Sequence, residues 1–301
     1  MRTRENQKNL IDPVKIILFF LFVELATASQ LSAIDDGGSK ITLRGPAKRI
    51  IAMSPGLTEV VFELHAGSAL VGVDEYSNFP LAAQGITRVN SSSAANYELI
   101  LSLKPDLILA WKSGNGARII SRLRDLGLSV FVVEIQRVAD IPALYRRLGS
   151  LLGQTARAKK LAEKFLDEIE VIRHSFQSQP EITVFYEVWD DPLMTLSGKH
   201  MLSDAISFCG GRNIFEDMVQ IAPLINIESV VAADPQVIIT GHNVEGLNNW
   251  RSRWSRWEAM QAVKKQHLYM VASDSLLRQS GRLVEGIRSL CENIQKARPL
   301  G

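Results

Sequence analysis

The sequence predicts an α/β protein of two parallel-sheet lobes joined by a long rigid backbone helix, with a ligand cleft between the lobes. Three observations carry that prediction. Short β-branched runs alternate with amphipathic helical stretches through most of the chain, as parallel strands covered by helices on both faces require. An Asn-x-Glu motif, followed six residues later by Pro and a β-branched run, occurs at Asn96 and again at Asn226, which is the mark of two related units. Between the two copies lies a helical stretch, 156–177, that would extend about 33 Å at 1.5 Å per residue and so spans a domain instead of closing a loop.

Taken in order, residues 1–28 stand apart. Arg2, Arg4, Lys8 and Lys15 precede the apolar run Ile16 to Val23, and Ala26-Thr27-Ala28 supplies a small-residue cleavage site. This pattern is that of a secretory signal peptide; the run is about half the roughly 20 residues a membrane-spanning helix needs. The first lobe is expected over 29–139, with strands at Arg49 to Met53, Leu70 to Val73, Leu107 to Trp111 and Val130 to Val133. Helical spacing at Asp140 to Leu152 and again beyond Gly153 assigns 140–178 to linking helices. The second lobe, 179–301, has strands at Thr183 to Tyr186, Val237 to Thr240 and Leu268 to Val271. In each repeat copy an Asn caps a short helix, Pro stops it, and a buried strand follows.

Composition narrows the function. Lys and Arg number 34 against 32 Asp and Glu, with no basic block, so nucleic acid is not the expected partner. The two cysteines, Cys209 and Cys291, form no CxxC and no Cys/His cluster, so no structural metal or cofactor is expected. In an exported chain the pair is either a disulfide or two buried thiols.

Several segments resemble the helical-backbone class of periplasmic substrate-binding proteins of ABC importers, and within it the members that bind corrinoids. They are Arg49 to Glu59 with its Ser-Pro-x-x-Thr-Glu motif, Val71 to Pro80, Glu98 to Trp111 with Leu-Lys-Pro-Asp, Phe208 to Phe215, and Trp257 to Tyr269. Together they cover nearly the whole chain beyond residue 28. The resemblance implies a monomeric, non-enzymatic binder of the periplasm that carries a cobalt corrinoid to an inner-membrane permease dimer. It also implies a Cys209–Cys291 disulfide and a role for Glu98 and Glu228, one per lobe, in docking to the two permease subunits. Ser92, Met194 and Ala222 depart from the more aromatic pocket of those members, which leaves haem or a ferric siderophore as the alternative ligand.

Ligands of open α/β sheets sit beyond the carboxyl ends of the strands. Tyr76, Phe79, Trp111 and Trp189 follow or end predicted strands and are candidates to cover a large flat ligand, with Met194 as a soft apolar contact. His200 and His242, in loops of the second lobe, are candidate axial ligands to a ligand-borne metal. Arg278, and Arg282 after it, are candidate partners for polar groups of the ligand at the cleft rim. The tryptophans at 250, 254 and 257 read as anchors of a surface helix. A secreted α/β hydrolase using Ser54 is the rival reading. It lacks a G-x-S-x-G elbow, and Pro55 removes the N–H an oxyanion hole there would use.

Overall fold

The computed structural model describes residues 30–90, 94–176, 178–241 and 247–298. The chain opens with an antiparallel hairpin, β1 (Leu31–Ile34) and β2 (Lys40–Leu43). Five parallel strands follow: β3 (Ile50–Ala52), β4 (Leu70–Asp74), β5 (Arg88–Asn90), β6 (Leu107–Trp111) and β7 (Val130–Val133), in spatial order β5-β4-β3-β6-β7. Their helices are α1 (Pro55–Glu63), α2 (Tyr97–Ser102) and α3 (Lys112–Asp125). Two helices, α4 (Asp140–Leu151) and α5 (Thr155–Phe176), pack on one another and form the spine.

The second lobe begins with β8 (Ile182–Glu187) and a small hairpin, β9 (Trp189–Asp190) and β10 (Leu193–Met194). It continues through α6 (Met201–Phe208), β11 (Gly211–Asn213), α7 (Ile227–Ala233), β12 (Val237–Thr240), α8 (Leu247–Trp254) and α9 (Gln261–Lys264). After β13 (Leu268–Met270), α10 (Ser273–Leu276) and α11 (Leu283–Gln295) complete the described chain. Strands β11, β8, β12 and β13 form one parallel sheet in that order. It matches the first sheet with β8 in the place of β3 and β12 in the place of β6, one edge strand fewer.

The repeat explains why the lobes match. Asn96 Oδ1 accepts from Leu99 N at 3.0 Å to cap α2, and Asn226 Oδ1 accepts from Ser229 N at 2.8 Å to cap α7. Both helices end at a left-handed residue directly before the proline, Lys104 at φ 47° and Asp234 at φ 43°, so the chain reverses into the next strand.

Side-chain alternation along the strands divides the core three ways. Ile50, Ala52, Leu107 and Leu109 of the first sheet, and Val184, Tyr186, Val237 and Ile239 of the second, join Leu148, Ala162, Phe165, Ile287 and Leu290 in one continuous cluster. The opposite face of the first sheet packs Ile51, Ile108 and Val130 against α2 and α3. The opposite face of the second packs Phe185 and Ile238 against α8. Helix α11 is stapled to the end of α6 by the Cys209–Cys291 disulfide, and both cysteines are fully buried. Among the described residues no helix is long and apolar enough to cross a membrane.

Candidate ligand cleft

The Ser54 to Glu59 motif builds the floor of the cleft. Ser54 Oγ accepts from Leu57 N at 3.4 Å to start α1, and Pro55 takes the first helical position, where no N–H is needed. The Thr58 hydroxyl lies 2.8 Å from that of Ser77 and fixes the loop after β4. The same loop is held from below: Asp74 Oδ1 accepts from Tyr76 N at 2.9 Å, and Asn90 Nδ2 donates to Asp74 Oδ2 at 2.5 Å. Arg88 donates to the carbonyls of Asp74 and Ser77. Burial raises the Asp74 carboxyl above its ordinary range, against the pull of these donors. The outcome is a rigid loop that presents Tyr76 at 58% exposure.

Glu59, at 1% exposure, crosses between the lobes. It accepts from Arg278 at 2.7 Å, Arg282 at 3.2 Å and the Ser280 hydroxyl at 2.5 Å. One turn on, Glu63 accepts from the Tyr145 hydroxyl at 2.5 Å and from Gly281 N at 3.4 Å. Burial raises the pKa of both Glu63 and Tyr145. At Gly56 the chains come so close that a Cβ would sit 2.7 Å from Gln279 N, so a side chain there is excluded. First-lobe helix α1 and the second-lobe segment 278–282 are therefore locked together at the base of the cleft.

Above this base lies a cavity of about 660 Å³. Ser54, Glu75, Tyr76 and Trp111 line it from the first lobe, and Asp274, Leu277, Arg278 and Gln279 from the second. Its walls come from the carboxyl ends of β3, β4, β6 and β13, where ligands of such sheets belong. Exposed apolar side chains include Tyr76, Phe79 and Leu81 after β4, and Trp189, Val219 and Leu224 in the second lobe; of these Tyr76 lines the cavity.

Of the predicted site residues, the structure brings Tyr76, Trp111 and Arg278 into the cavity wall. Phe79, Trp189 and Met194 are not in it. Phe79 is stacked under the Arg282 guanidinium, 4.1 Å from the ring centre, while Trp189 and Met194 pair across the β9–β10 hairpin. Arg278 is no rim charge. It is buried and spends itself on Glu59, on Asn78 Oδ1 at 2.7 Å and on Asp274 at 2.8 Å. His200 is a correction to the open-loop reading: its Nδ1 accepts from Leu202 N at 3.1 Å and caps α6, and burial lowers its pKa to about 4. A short polar stretch before a helix has the same sequence whether its histidine caps the helix or points outward, so only the fold separates the two. His242, Ser92 and residues 1–28 lie outside the described residues.

Two of the three tryptophans anchor α8 as the sequence leads one to expect, facing the core while Arg251 and Ser252 of the same helix are exposed. Trp250 and Trp254 are buried and donate to Glu187 at 2.9 and 2.7 Å, and Arg253 donates to the same carboxylate, itself fully buried. Arg253 also reaches Asp190 and so ties α8 to the hairpin that carries Trp189. Glu59 and Glu187 are the residues that sequence reasoning passed over. The signal for Glu59 was its place in the motif. Glu98 and Glu228 stand exposed in the first turns of α2 and α7, with no ion pair to a described residue. Both helices run antiparallel to the strands they precede, which sets their amino ends on the cleft edge of the sheets.

A family model described as periplasmic binding protein matches residues 50–274. The chain is 33% identical over 254 residues to the Vitamin B12-binding protein of Vibrio cholerae, covering 84% of this chain and 91% of that one. It is 31% identical over 249 residues to the protein of the same name from Yersinia pestis, with 82% and 86% covered. The crystal structure of the periplasmic vitamin B12 binding protein of Vibrio cholerae matches with a TM-score of 0.78 at 32% identity, over 85% of this chain and 99% of that one. A periplasmic heme-binding protein from Roseiflexus matches with a TM-score of 0.73 at 20% identity over 83% and 99%, a likeness of fold alone. The motif-built floor, the cavity between two parallel sheets and these relatives lead to one conclusion: the chain belongs to the periplasmic binding protein family.

Proposed function

We propose that this protein captures a corrinoid in the cleft between its lobes and delivers it, as a monomer in the periplasm, to an ABC importer of the inner membrane. The relatives above 30% identity are named for vitamin B12. The observation that carries the ligand class is the charge of the cavity wall. Its one cation among the described lining residues, Arg278, is already paired with buried Glu59 and with Asp274 of the same wall, so the wall offers no uncommitted positive charge. Such a wall disfavours anionic groups and suits a large apolar macrocycle with a neutral periphery, received on Tyr76 and Trp111. Haem with its propionates and anionic ferric siderophores fit it less well. A hydrolase is disfavoured because no histidine lies among the described lining residues to serve Ser54 as a base. Delivery would use Glu98 and Glu228, a like pair offered to a symmetric partner.

Calorimetric and visible-absorption titration of the purified protein with cyanocobalamin, cobinamide and hemin tests the ligand. Corrinoid binding at about micromolar Kd or tighter supports the reading; hemin binding without corrinoid binding overturns it.

A further inference from the structure

We propose that Gly114 is a positioning residue for the ligand: its bare backbone is the seat against which the Trp111 indole is held, so that the first-lobe wall of the cavity is set in place before a ligand arrives. This rests on the corrinoid reading above for the identity of the ligand.

Trp111 lines the cavity from the first lobe, yet no hydrogen bond aims its ring. The indole Nε1 is buried and has no partner among the described residues. An aromatic side chain with no bond at its polar tip is oriented by packing alone. The ring packs against the edge of the central apolar cluster, and it lies against Gly114. A Cβ at 114 would fall 2.0 Å from Cε3 of Trp111 and 2.5 Å from both Cδ2 and Cζ3. These are the three atoms nearest to it, and all belong to the six-membered ring, so the indole covers the place that a side chain would take. Gly114 is exposed, and its φ lies outside the left-handed region. Backbone strain therefore does not exclude a side chain there; the indole does.

The turn that carries Gly114 is anchored on both sides. Asn115 Oδ1 accepts from Trp111 N at 2.7 Å while Asn115 Nδ2 donates to Met53 O at 2.9 Å, which ties the turn to the end of β3. Ser113 donates to Glu134 through N at 2.8 Å and through Oγ at 3.0 Å, which ties it to the residue after β7. Glu134 N in turn donates to Asp36 at 2.8 Å. At Gly116 the backbone takes φ 76° and ψ 154° and breaks from this turn into the rest of α3, a conformation that glycine adopts without steric penalty. A group added at 114 is thus relieved by moving the ring and not the turn. A side chain already held in its binding orientation spares the ligand the cost of ordering it.

The test is a double-mutant cycle read by calorimetric titration of the purified protein with cyanocobalamin. Gly114→Ala should weaken binding about tenfold, and Trp111→Ala about tenfold or more. The double variant should bind as Trp111→Ala does, within about twofold, because the added methyl then meets no ring. Urea midpoints follow the same cycle: they should fall in Gly114→Ala and fall no further when the methyl is added to Trp111→Ala, so the coupling is read even where the single variant folds poorly. Wild-type affinity in Gly114→Ala, or an equal loss from the methyl in both backgrounds, overturns the proposal and leaves the corrinoid reading standing. A protein that takes hemin and no corrinoid overturns that reading instead, and the same cycle titrated with hemin then decides the role of Gly114.

Discussion

Glu59 and Glu187 are both buried carboxylates with three side-chain donors each, and their partners come from different places. Glu59 sits in the first lobe and takes Arg278, Ser280 and Arg282 from the far end of the chain. Glu187 sits at the end of β8 and takes Trp250, Arg253 and Trp254 from its own lobe. The first is a bond between lobes at the base of the cavity; the second attaches a helix to the outer face of one sheet. Equal burial therefore serves the cleft in one case and the lobe in the other. The comparison predicts that the two can be separated by experiment.

The largest effect on binding is expected at Glu59. Glu59→Ala leaves the buried Arg278 guanidinium short of its main counter-charge, at a cost of about 3–5 kcal/mol, and frees the segment that carries Gln279. Stability in urea and corrinoid affinity should fall together. Glu187→Ala orphans two indole N–H groups but releases Arg253, which is 29% exposed, toward water. The loss of stability should be about 2–6 kcal/mol for the two groups, but with affinity kept. Loss of affinity in the second variant and not the first would reverse the comparison.

A middle-sized effect concerns pH, and it has opposite signs at the interlobe contact and in the second lobe. His200 is lowered to about 4 by burial, whereas in the unfolded chain it titrates near its ordinary value. Between these two the unfolded state binds more protons, so stability falls as pH drops from about 6.5 to 4. His200→Asn, which keeps an acceptor for the cap, should flatten that limb. Glu63, beside Glu59, is raised by burial, so the folded state holds its proton longer and stability falls as pH rises above the ordinary glutamate value. Glu63→Gln should flatten that limb instead. Urea midpoints measured from pH 4 to 7 for both variants check the two signs.

The smallest stability effect belongs to the exposed pair. Glu98→Lys and Glu228→Lys give up a favourable helix-dipole contact worth about 0.3–1 kcal/mol each. Both variants should bind corrinoid as the wild type does. If these carboxylates dock the protein, uptake through the importer in reconstituted vesicles should fail in either variant; uptake at the wild-type rate would remove them from that role.

Local signals account for what the sequence made legible. The caps at Asn96 and Asn226, the proline stops and the apolar strands are each decided within about ten residues, and all of them are in the structure where the pattern sets them. The cleft was legible in Tyr76 and Trp111 because strand ends are local too. What was not legible is the pairing across distance. Arg278 and Glu59 are separated by 219 positions, and nothing near either one says that an arginine at a cleft will be consumed by a buried acid. Trp250 and Trp254 are legible as anchors of α8, but the buried acceptor they share, Glu187, sits 63 and 67 positions away in a strand that no local pattern points to. Trp189 failed to reach the cavity wall for a related reason: the β9–β10 hairpin carries it out from its strand.

The central cluster that runs from the first sheet through the spine into the second has a consequence for how the repeat is to be understood. Leu109, Leu148, Phe165, Val184 and Leu290 belong to one body of packed side chains. Cutting the chain between the repeat copies would leave each half with a broad apolar face and no cover for it. The two halves still share a plan in their caps and strands, but neither is a module that can be lifted out, recombined or inherited alone. The molecule is a duplicated blueprint whose copies have become mutually obligate.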